Sequence, residues 1–429
     1  MYQLSSDSEF AFILAEMLSL SNNFGANTGE ILRAASQIKP SDFESWHREF
    51  KFLADGIHDK AVAINATRFP VSAREAYFRS ASYYRAADFF LHGNTSDTRI
   101  YSLWNSALSD FDKAIELLPT VARRANVSAH NFTVPIIFYK PQESSNPHST
   151  QELDDKGYGS RKLPTVLVGN GYDGSQEELY HSVGRSILDR GWNFVTYEGP
   201  GQPTVLRQQQ LGFIPDWWDV VTPVMDYLAK RPDVDMRRVA LVGISFGGTL
   251  APRAASREHR LSAVLAINGL TSLFASLEKQ FPPKLIDLFN SGNKTAFHHI
   301  VLSIMESSSY PTQFRWIIGQ SLFAFNTRSP FEWFTRLSKF VADGPLLRNI
   351  TCPTFVASGE NDSSAPGQPE EMAELLGDKC TYNLFKTDLG AGEHCQLGAE
   401  AQVAQVALDW LGDIWDGVKT PRSMTGRVY

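Results

Sequence analysis

A serine flanked by glycines is the first feature of the sequence able to carry chemistry. Gly243-Ile-Ser-Phe-Gly247 matches the pattern G-x-S-x-G. Residues 238–243 read as a short buried strand, and the alanine-rich stretch after Gly248 is typical of a helix. Small residues two positions before and after the serine let a strand and a helix pass closely at a sharp turn. We therefore predict that Ser245 is a nucleophile exposed on a strand-to-helix turn.

A serine nucleophile needs a histidine base, because its hydroxyl reacts weakly at neutral pH. His394 lies in the glycine-rich loop Gly390-Ala-Gly-Glu-His-Cys-Gln396, between the last predicted strand and the closing helix. The other histidines downstream of Ser245 fall near the helix that follows it or in a later aromatic stretch: His259, His298 and His299. Position in the chain therefore assigns the base to His394.

The histidine in turn needs a carboxylate, which fixes its tautomer and stabilises the imidazolium. Asp362 follows the predicted strand 354–358 and lies in a loop that Pro366 and Gly367 continue. Glu360 and Asp388 are the competitors, but Glu360 follows the strand at once, in a position suited to capping it. We predict that Asp362 is the acid.

An acyl-transfer reaction also needs donors for the developing oxyanion. One should be the amide of Phe246, and the other should come from the loop 169–178, where Tyr172 and Gly171 are equal candidates. Asp173 in the same loop is a candidate acid or base, since an apolar surrounding would raise its pKa. An Asx turn is the alternative interpretation of Asp173.

Short apolar strands alternate with helical patterns over the second part of the chain, which predicts an α/β fold with a mainly parallel sheet covered by helices on both faces. Residues 131–139 form an early strand. The later strand candidates are residues 165–169, 193–197, 238–243, 263–268, 354–358 and 382–385.

Two helical regions flank this sheet in the sequence. Residues 1–123 contain two S-x-x-E capping patterns, at 41–44 and 72–75, each followed by a long amphipathic run. Residues 270–345 are rich in phenylalanine and tryptophan, and an insertion at this point would form a cap over Ser245. The predicted organisation is an N-terminal helical domain (1–123), a first core segment (124–269), the cap (270–345) and a second core segment (346–429). Aromatic residues assigned to substrate binding are Trp316, Phe314 and Tyr77.

Composition narrows the class of protein and ligand. Aromatic residues make up 12% of the 429 residues, which favours an apolar small-molecule ligand, whereas a net charge of −7 without a basic block disfavours nucleic acid and anionic membranes. The three cysteines show no metal-ligand spacing, and the N-terminal residues are acidic where a secretory signal needs basic ones. We expect a cytoplasmic protein that uses no cofactor and no metal.

Several motifs together resemble the α/β-hydrolases related to 2,6-dihydropseudooxynicotine hydrolase, a group with fungal members in polyketide and polyketide–peptide pathways, including the 20-hydroxy-prefusarin hydrolase type. They are G-N-G-Y-D-G-S-Q-E-E at 169–178, Y-E-G-P-G-Q at 197–202, G-I-S-F-G-G at 243–248 and G-A-G-E-H-C-Q at 390–396. The resemblance implies an α/β-hydrolase fold with Ser245 as nucleophile, Asp362 as acid and His394 as base. It places Asp173 where the bacterial enzyme has a glutamate that assists C–C cleavage, and it implies a homodimer.

The leading hypothesis is a cofactor-free serine hydrolase that cleaves a C–C or ester bond next to a carbonyl in a bulky, apolar polyketide-type substrate. An acyltransferase or cyclase would use the same Ser-His-Asp site with a different acceptor. A hydrolase fold kept as a binding scaffold, or as a template for non-covalent cyclisation, is the alternative from another class.

Overall fold

The sheet at the centre of the protein is mainly parallel, as the alternation of strands and helices predicts. In the computed structural model, which describes residues 3–142 and 162–423, eight strands pair in the order β1-β2-β4-β3-β5-β6-β7-β8. β2 runs antiparallel to β1 and β4, and all other neighbours are parallel. The strands are β1 (Val121–Ser128), β2 (Thr133–Lys140), β3 (Leu163–Gly169), β4 (Asn193–Tyr197), β5 (Val234–Ile244), β6 (Ala263–Ile267), β7 (Thr354–Gly359) and β8 (Cys380–Phe385).

Every strand predicted from the sequence is present, but β1 was not predicted. β1 is an edge strand with alternating arginine, alanine and asparagine residues, most of them at least partly exposed, so it lacks the apolar run that marks a buried strand. The predicted boundary at residue 124 falls inside it, so the sheet begins at Val121.

Helices cover both faces of the sheet and pack two separate apolar cores against it. A π-helical turn at Tyr180–Gly184 leads into the first of these helices, and another at Ala404–Leu408 joins the last two. Helices are numbered along the chain, with α1–α5 in the N-terminal region and α10–α14 in the insertion between β6 and β7. The helices that cover the sheet are α6 (Arg185–Asp189), α7 (Pro203–Gln209), α8 (Trp218–Ala229), α9 (Gly247–Ala255), α15 (Gly344–Leu347), α16 (Gln368–Leu376), α17 (Glu400–Val403) and α18 (Asp409–Trp415).

The N-terminal region is helical and has a third apolar core of its own, to which Leu206 and Phe323 from later parts of the chain contribute. Its helices are α1 (Ser8–Ser19), α2 (Thr28–Gln37), α3 (Phe43–Ala63), α4 (Pro70–Asp88) and α5 (Arg99–Glu116).

The caps of two of these helices differ from the predicted capping boxes. Asp42, not Ser41, caps α3 by accepting a hydrogen bond from the amide of Ser45, while the Ser41 hydroxyl bonds to Asp7 on a neighbouring segment. Ser72 lies inside the first turn of α4, because that helix already begins at Pro70.

The insertion between β6 and β7 is helical, in the place predicted for a cap. Its aromatic residues pack mainly on one another, for example Phe289, Phe297 and Phe334, so most of them hold the insertion together. The insertion contacts the N-terminal region through α13 and α1. Its helices are α10 (Leu273–Gln280), α11 (Pro283–Asn290), α12 (Lys294–Glu306), α13 (Thr312–Ala324) and α14 (Pro330–Leu337). No helix in the described part of the chain has both the length and the apolar character that crossing a bilayer requires.

Candidate active site

Ser245 occupies a strained turn between β5 and α9. Its φ angle is 59°, in the left-handed region that non-glycine residues rarely adopt. Gly243 and Gly248 make the turn possible: a Cβ at Gly243 would lie 1.9 Å from the Gly247 carbonyl oxygen, and one at Gly248 would lie 2.2 Å from that of Asn268. The Ser245 amide donates to the carbonyl of Ile267 on β6 (3.0 Å), which ties the turn to the next strand.

The residues predicted as nucleophile, base and acid form one chain of hydrogen bonds. His394 Nε2 lies 2.9 Å from Ser245 Oγ, and His394 Nδ1 lies 2.8 Å from Asp362 Oδ2. Asp362 follows β7 and His394 follows β8, so the three side chains meet beyond the carboxyl ends of neighbouring parallel strands. Ser364 holds the other carboxylate oxygen of Asp362 through its amide (2.8 Å) and its hydroxyl (2.6 Å).

The competing residues lie elsewhere. Glu360 is exposed and pairs with Lys386 at 2.8 Å, and Asp388 is exposed in a short 3-10 turn. His259 and His298 bond to Ser256 and Ser329, respectively.

Electrostatics favour an ionised acid and a strongly basic imidazole. Burial alone would raise the pKa of Asp362, but hydrogen bonds from His394 and Ser364 and the charge of His394 hold it at about 2. Burial opposes protonation of His394, yet the adjoining Cys395 and the hydrogen bond and charge of Asp362 raise its pKa well above its ordinary value. The carboxylate therefore stays charged while the imidazole exchanges a proton.

Side chains hold the carbonyls of the predicted oxyanion loop. Gln202 Nε2 donates to the carbonyls of Asn170 (2.8 Å) and Gly171 (3.2 Å). Gln320 donates to the carbonyl of Tyr172 (3.2 Å), and Arg85 donates to that of Asp173. Four successive carbonyl groups are thus fixed by one residue from the core, one from the insertion and one from the N-terminal region.

This arrangement separates the two candidates for the second oxyanion donor. The Gly171 amide already donates to Asn170 Oδ1 (2.8 Å). The Tyr172 amide shares a trans peptide plane with the Gly171 carbonyl that Gln202 holds, so it points the opposite way. A Cβ at Gly171 would lie 2.8 Å from Ser245 Cβ and 3.0 Å from the Phe246 amide nitrogen, so the two loops touch. The geometry favours Tyr172 over Gly171.

Asp173 lies in the same cavity as Ser245. Burial raises the pKa of its carboxyl, with Arg85 and His394 opposing that rise. Backbone amides of Asp173 and Gly174 also interact with the carboxyl, so the local turn interaction and the raised pKa are both present. At this position a protonated Asp173 is able to serve as an acid.

A cavity of about 550 Å³ surrounds the Ser245 hydroxyl and is lined mainly by apolar side chains. The two cap aromatics assigned to substrate binding, Phe314 and Trp316, line it. Tyr77 is not among the lining residues, and the ammonium of Lys113 on α5 sits over its ring at 5.1 Å. The structure therefore places Tyr77 outside this cavity, because the helical pattern in the sequence does not show which neighbour this face of α4 contacts.

Helix α1 also lines the cavity, which the sequence analysis missed. The ring of Phe12 lies 6.4 Å from that of His394, and Glu9, Ile13 and Glu16 face the same space. Their i, i+3, i+4, i+7 spacing marks one face of a helix, but nothing in the sequence shows that this face meets the active site.

No group of three or more His, Cys, Asp or Glu side chains within residues 3–142 and 162–423 is arranged to hold a metal ion.

An eight-stranded, mainly parallel sheet with a strained serine after its fifth strand defines the class of α/β-hydrolases. The chain belongs to a family of fungal α/β-hydrolases that includes hydrolase acrC of Aspergillus aculeatus, to which it is 31% identical over 96% of this chain and 98% of that protein.

Other comparisons agree with this assignment. The chain is 28% identical to 20-hydroxy-prefusarin hydrolase FUS2 of Gibberella moniliformis over 96% of this chain and 97% of that protein. Residues 223–303 match the family model described as BAAT / acyl-CoA thioester hydrolase C terminal. The fold is similar to that of 2,6-dihydroxy-pseudo-oxynicotine hydrolase, with a TM-score of 0.72 at 20% identity over 96% of this chain and 99% of that one. The resemblance inferred from the motifs is confirmed.

Replacing the acid should change both the rate and its pH dependence. Because the base works only as neutral imidazole, a raised pKa of His394 places the acid limb of kcat/KM above pH 6.5, and activity rises with pH through that limb. Without the carboxylate of Asp362, burial lowers the pKa of His394, so Asp362→Asn should move the acid limb to lower pH. The variant should also reduce kcat by about 10⁴-fold. The measurement is a pH–rate profile for p-nitrophenyl acetate. An unchanged limb would contradict the pairing of His394 with Asp362.

Replacing the side chain that holds the oxyanion loop should lower kcat with little effect on KM. We expect Gln202→Leu to reduce kcat for p-nitrophenyl acetate by roughly tenfold to a hundredfold, because the Tyr172 amide loses its orientation. Gln209→Leu is the matched control: Gln209 makes similar hydrogen bonds to Thr133 on β2, at 2.8 Å and 2.9 Å, and should keep the wild-type kcat. Equal losses in both variants would indicate a purely structural role for Gln202.

Proposed function

We propose that this protein is a serine hydrolase of fungal secondary metabolism that cleaves a C–C or ester bond next to a carbonyl in a bulky, apolar polyketide-type substrate. The observation that carries this proposal is the 2.9 Å contact of Ser245 Oγ with His394 Nε2, backed by Asp362, on the wall of a largely apolar cavity. That arrangement supplies an activated nucleophile where an apolar substrate binds.

The proposed reaction has two stages. Ser245 Oγ attacks the substrate carbonyl as His394 takes its proton, and the amides of Phe246 and Tyr172 stabilise the resulting oxyanion. The bond to the leaving group then breaks, and its electron pair takes a proton. Water, deprotonated by His394, attacks the acyl-enzyme and releases the acid and free Ser245.

The leaving group decides the role of Asp173 in this scheme. An alkoxide takes its proton from His394, whereas a carbon leaving group needs a proton where the carbon lies. The carboxyl of Asp173, with its raised pKa, supports such a donation from the oxyanion loop. The proton on His394 then passes through solvent to the Asp173 carboxylate, so that His394 is neutral again before it deprotonates the attacking water. The relatives acrC and FUS2 are named as hydrolases, which supports hydrolysis, and the name of FUS2 gives 20-hydroxy-prefusarin as its substrate.

Ser245→Ala tests the nucleophile. Wild-type protein should react with a fluorophosphonate probe and release p-nitrophenol from p-nitrophenyl acetate, and the variant should lose both reactions because no other hydroxyl contacts His394 Nε2 within the described residues. Ser363→Ala is the control, since Ser363 lines the same cavity outside the chain of hydrogen bonds that joins Ser245, His394 and Asp362; it should keep the label. Full labelling of Ser245→Ala would refute the mechanism.

Asp173→Asn separates C–C cleavage from ester cleavage. We expect the variant to lose hydrolysis of benzoylacetone by about a hundredfold or more, because the carbon leaving group loses its acid. Hydrolysis of p-nitrophenyl acetate should stay within about threefold of wild type, since p-nitrophenolate leaves without a proton. Product formation is measured by chromatography for the diketone and by absorbance for the ester. Equal loss of both activities would make Asp173 structural.

A further inference from the structure

Helix α1 brings two carboxyl groups into the active-site cavity. Glu9 and Glu16 both line it, on the same helix face as Phe12, whose ring adjoins His394. Seven residues along a helix correspond to about 10 Å, so the two glutamates lie at different distances along the cavity. Neither residue belongs to the catalytic chain of hydrogen bonds.

Neither carboxyl has a protein partner. Within the described part of the chain, no side chain or backbone amide hydrogen-bonds to the carboxylate of Glu9 or Glu16, and no cation pairs with either. Glu9 is nevertheless only 9% exposed. Several other buried acids in the described residues pair with arginines, as Asp88 does with Arg207 and Glu177 with Arg124. Glu16 is partly exposed, and both residues line the cavity, so their carboxyls are positioned to bond to a ligand there.

The surroundings favour the uncharged form of both groups. Burial is the largest cause that raises the pKa of Glu9 to about 8, and neighbouring acids, Asp173 first, add to that rise while they are ionised. Burial is likewise the largest cause that raises the pKa of Glu16 to about 8, against the opposing charges of Arg85 and His394. At neutral pH each carboxyl therefore carries a proton and can donate a hydrogen bond.

We propose that Glu9 and Glu16 are substrate-binding residues whose protonated carboxyls donate hydrogen bonds to ketone oxygens along the substrate chain. This inference rests on the proposed function and defines its substrate as an apolar chain with carbonyl groups remote from the scissile bond. Phe12 and Ile13 between the two acids contact the apolar parts of the chain. An acceptor such as a ketone bonds to a carboxyl only while the carboxyl is protonated.

The test compares p-nitrophenyl octanoate with a set of p-nitrophenyl oxooctanoates that carry one ketone at successive chain positions, and with p-nitrophenyl 8-aminooctanoate. Wild-type protein should prefer at least one keto ester over octanoate by about tenfold in kcat/KM, the effect of about 1.4 kcal/mol from one hydrogen bond. The preference should disappear as the pH rises through about 8, because the carboxyls ionise.

Two double variants separate hydrogen bonding from shape. Glu9→Leu with Glu16→Leu should hydrolyse octanoate and lose the keto preference, whereas Glu9→Gln with Glu16→Gln should keep the preference and lose its pH dependence, since an amide donates at any pH. Glu400→Gln is the control: its carboxylate at the cavity edge already bonds to Asn22 (3.3 Å) and Gly398 (3.0 Å), so the preference and its pH profile should stay. Fluorophosphonate labelling of Ser245 verifies that each variant is folded.

Three outcomes would overturn the inference: no keto preference in wild type, a preference that survives the double leucine variant, or a preference for the ammonium ester, which would mean that the acids bind as carboxylates. If wild-type protein hydrolyses none of these esters and resists the fluorophosphonate, the proposed function itself fails.

Discussion

The left-handed backbone at Ser245 is the constraint on which the site depends. A serine with a φ of 59° is strained, and it persists because β5, α9 and β6 pack against it without room for a side chain at Gly243 or Gly248. The same turn holds the Ser245 hydroxyl 2.9 Å from His394 Nε2. A strained residue of this kind needs a rigid surrounding, which the parallel strands on both sides of β5 supply.

A buried network of charged and polar side chains connects the loop 169–178, which lies against this turn, to the N-terminal region. Arg85 on α4 holds the carbonyl of Asp173, and Asp88, one helical turn later, pairs with Arg207 and bonds to His92 at 3.2 Å. His92 bonds to Gln320 (2.5 Å), which in turn holds the carbonyl of Tyr172. The oxyanion loop therefore takes its shape from the N-terminal helices and the insertion as well as from the sheet, so these regions are parts of the active site.

Much of the fold was predictable because its signals are local. Apolar runs marked β2 to β8, and helical periodicity marked the N-terminal region and the insertion. β1 was not predicted because an edge strand does not need an apolar run. The cap of α3 was predicted at Ser41, but the Ser41 hydroxyl bonds to Asp7, which is distant in the chain, and Asp42 caps the helix. Tyr77 lies outside the cavity for a related reason: helical spacing identifies a face of the helix but not what that face contacts.

The sequence by itself determined the glycine-flanked turn at Ser245 and the order of the serine, the aspartate and the histidine, since the glycine spacing and the position of each residue after a strand are properties of the chain. Only the tertiary structure shows that the Gly171 amide already has a partner and that Gln202 holds the Gly171 carbonyl, which favours Tyr172 over Gly171. It also shows that Glu9 and Glu16 line the cavity that contains Ser245. Both results depend on contacts between residues far apart in sequence, which no local pattern records. The turn that carries Ser245 is recognisable from the five residues 243–247, but the residues around it come from distant parts of the chain that only the fold brings together.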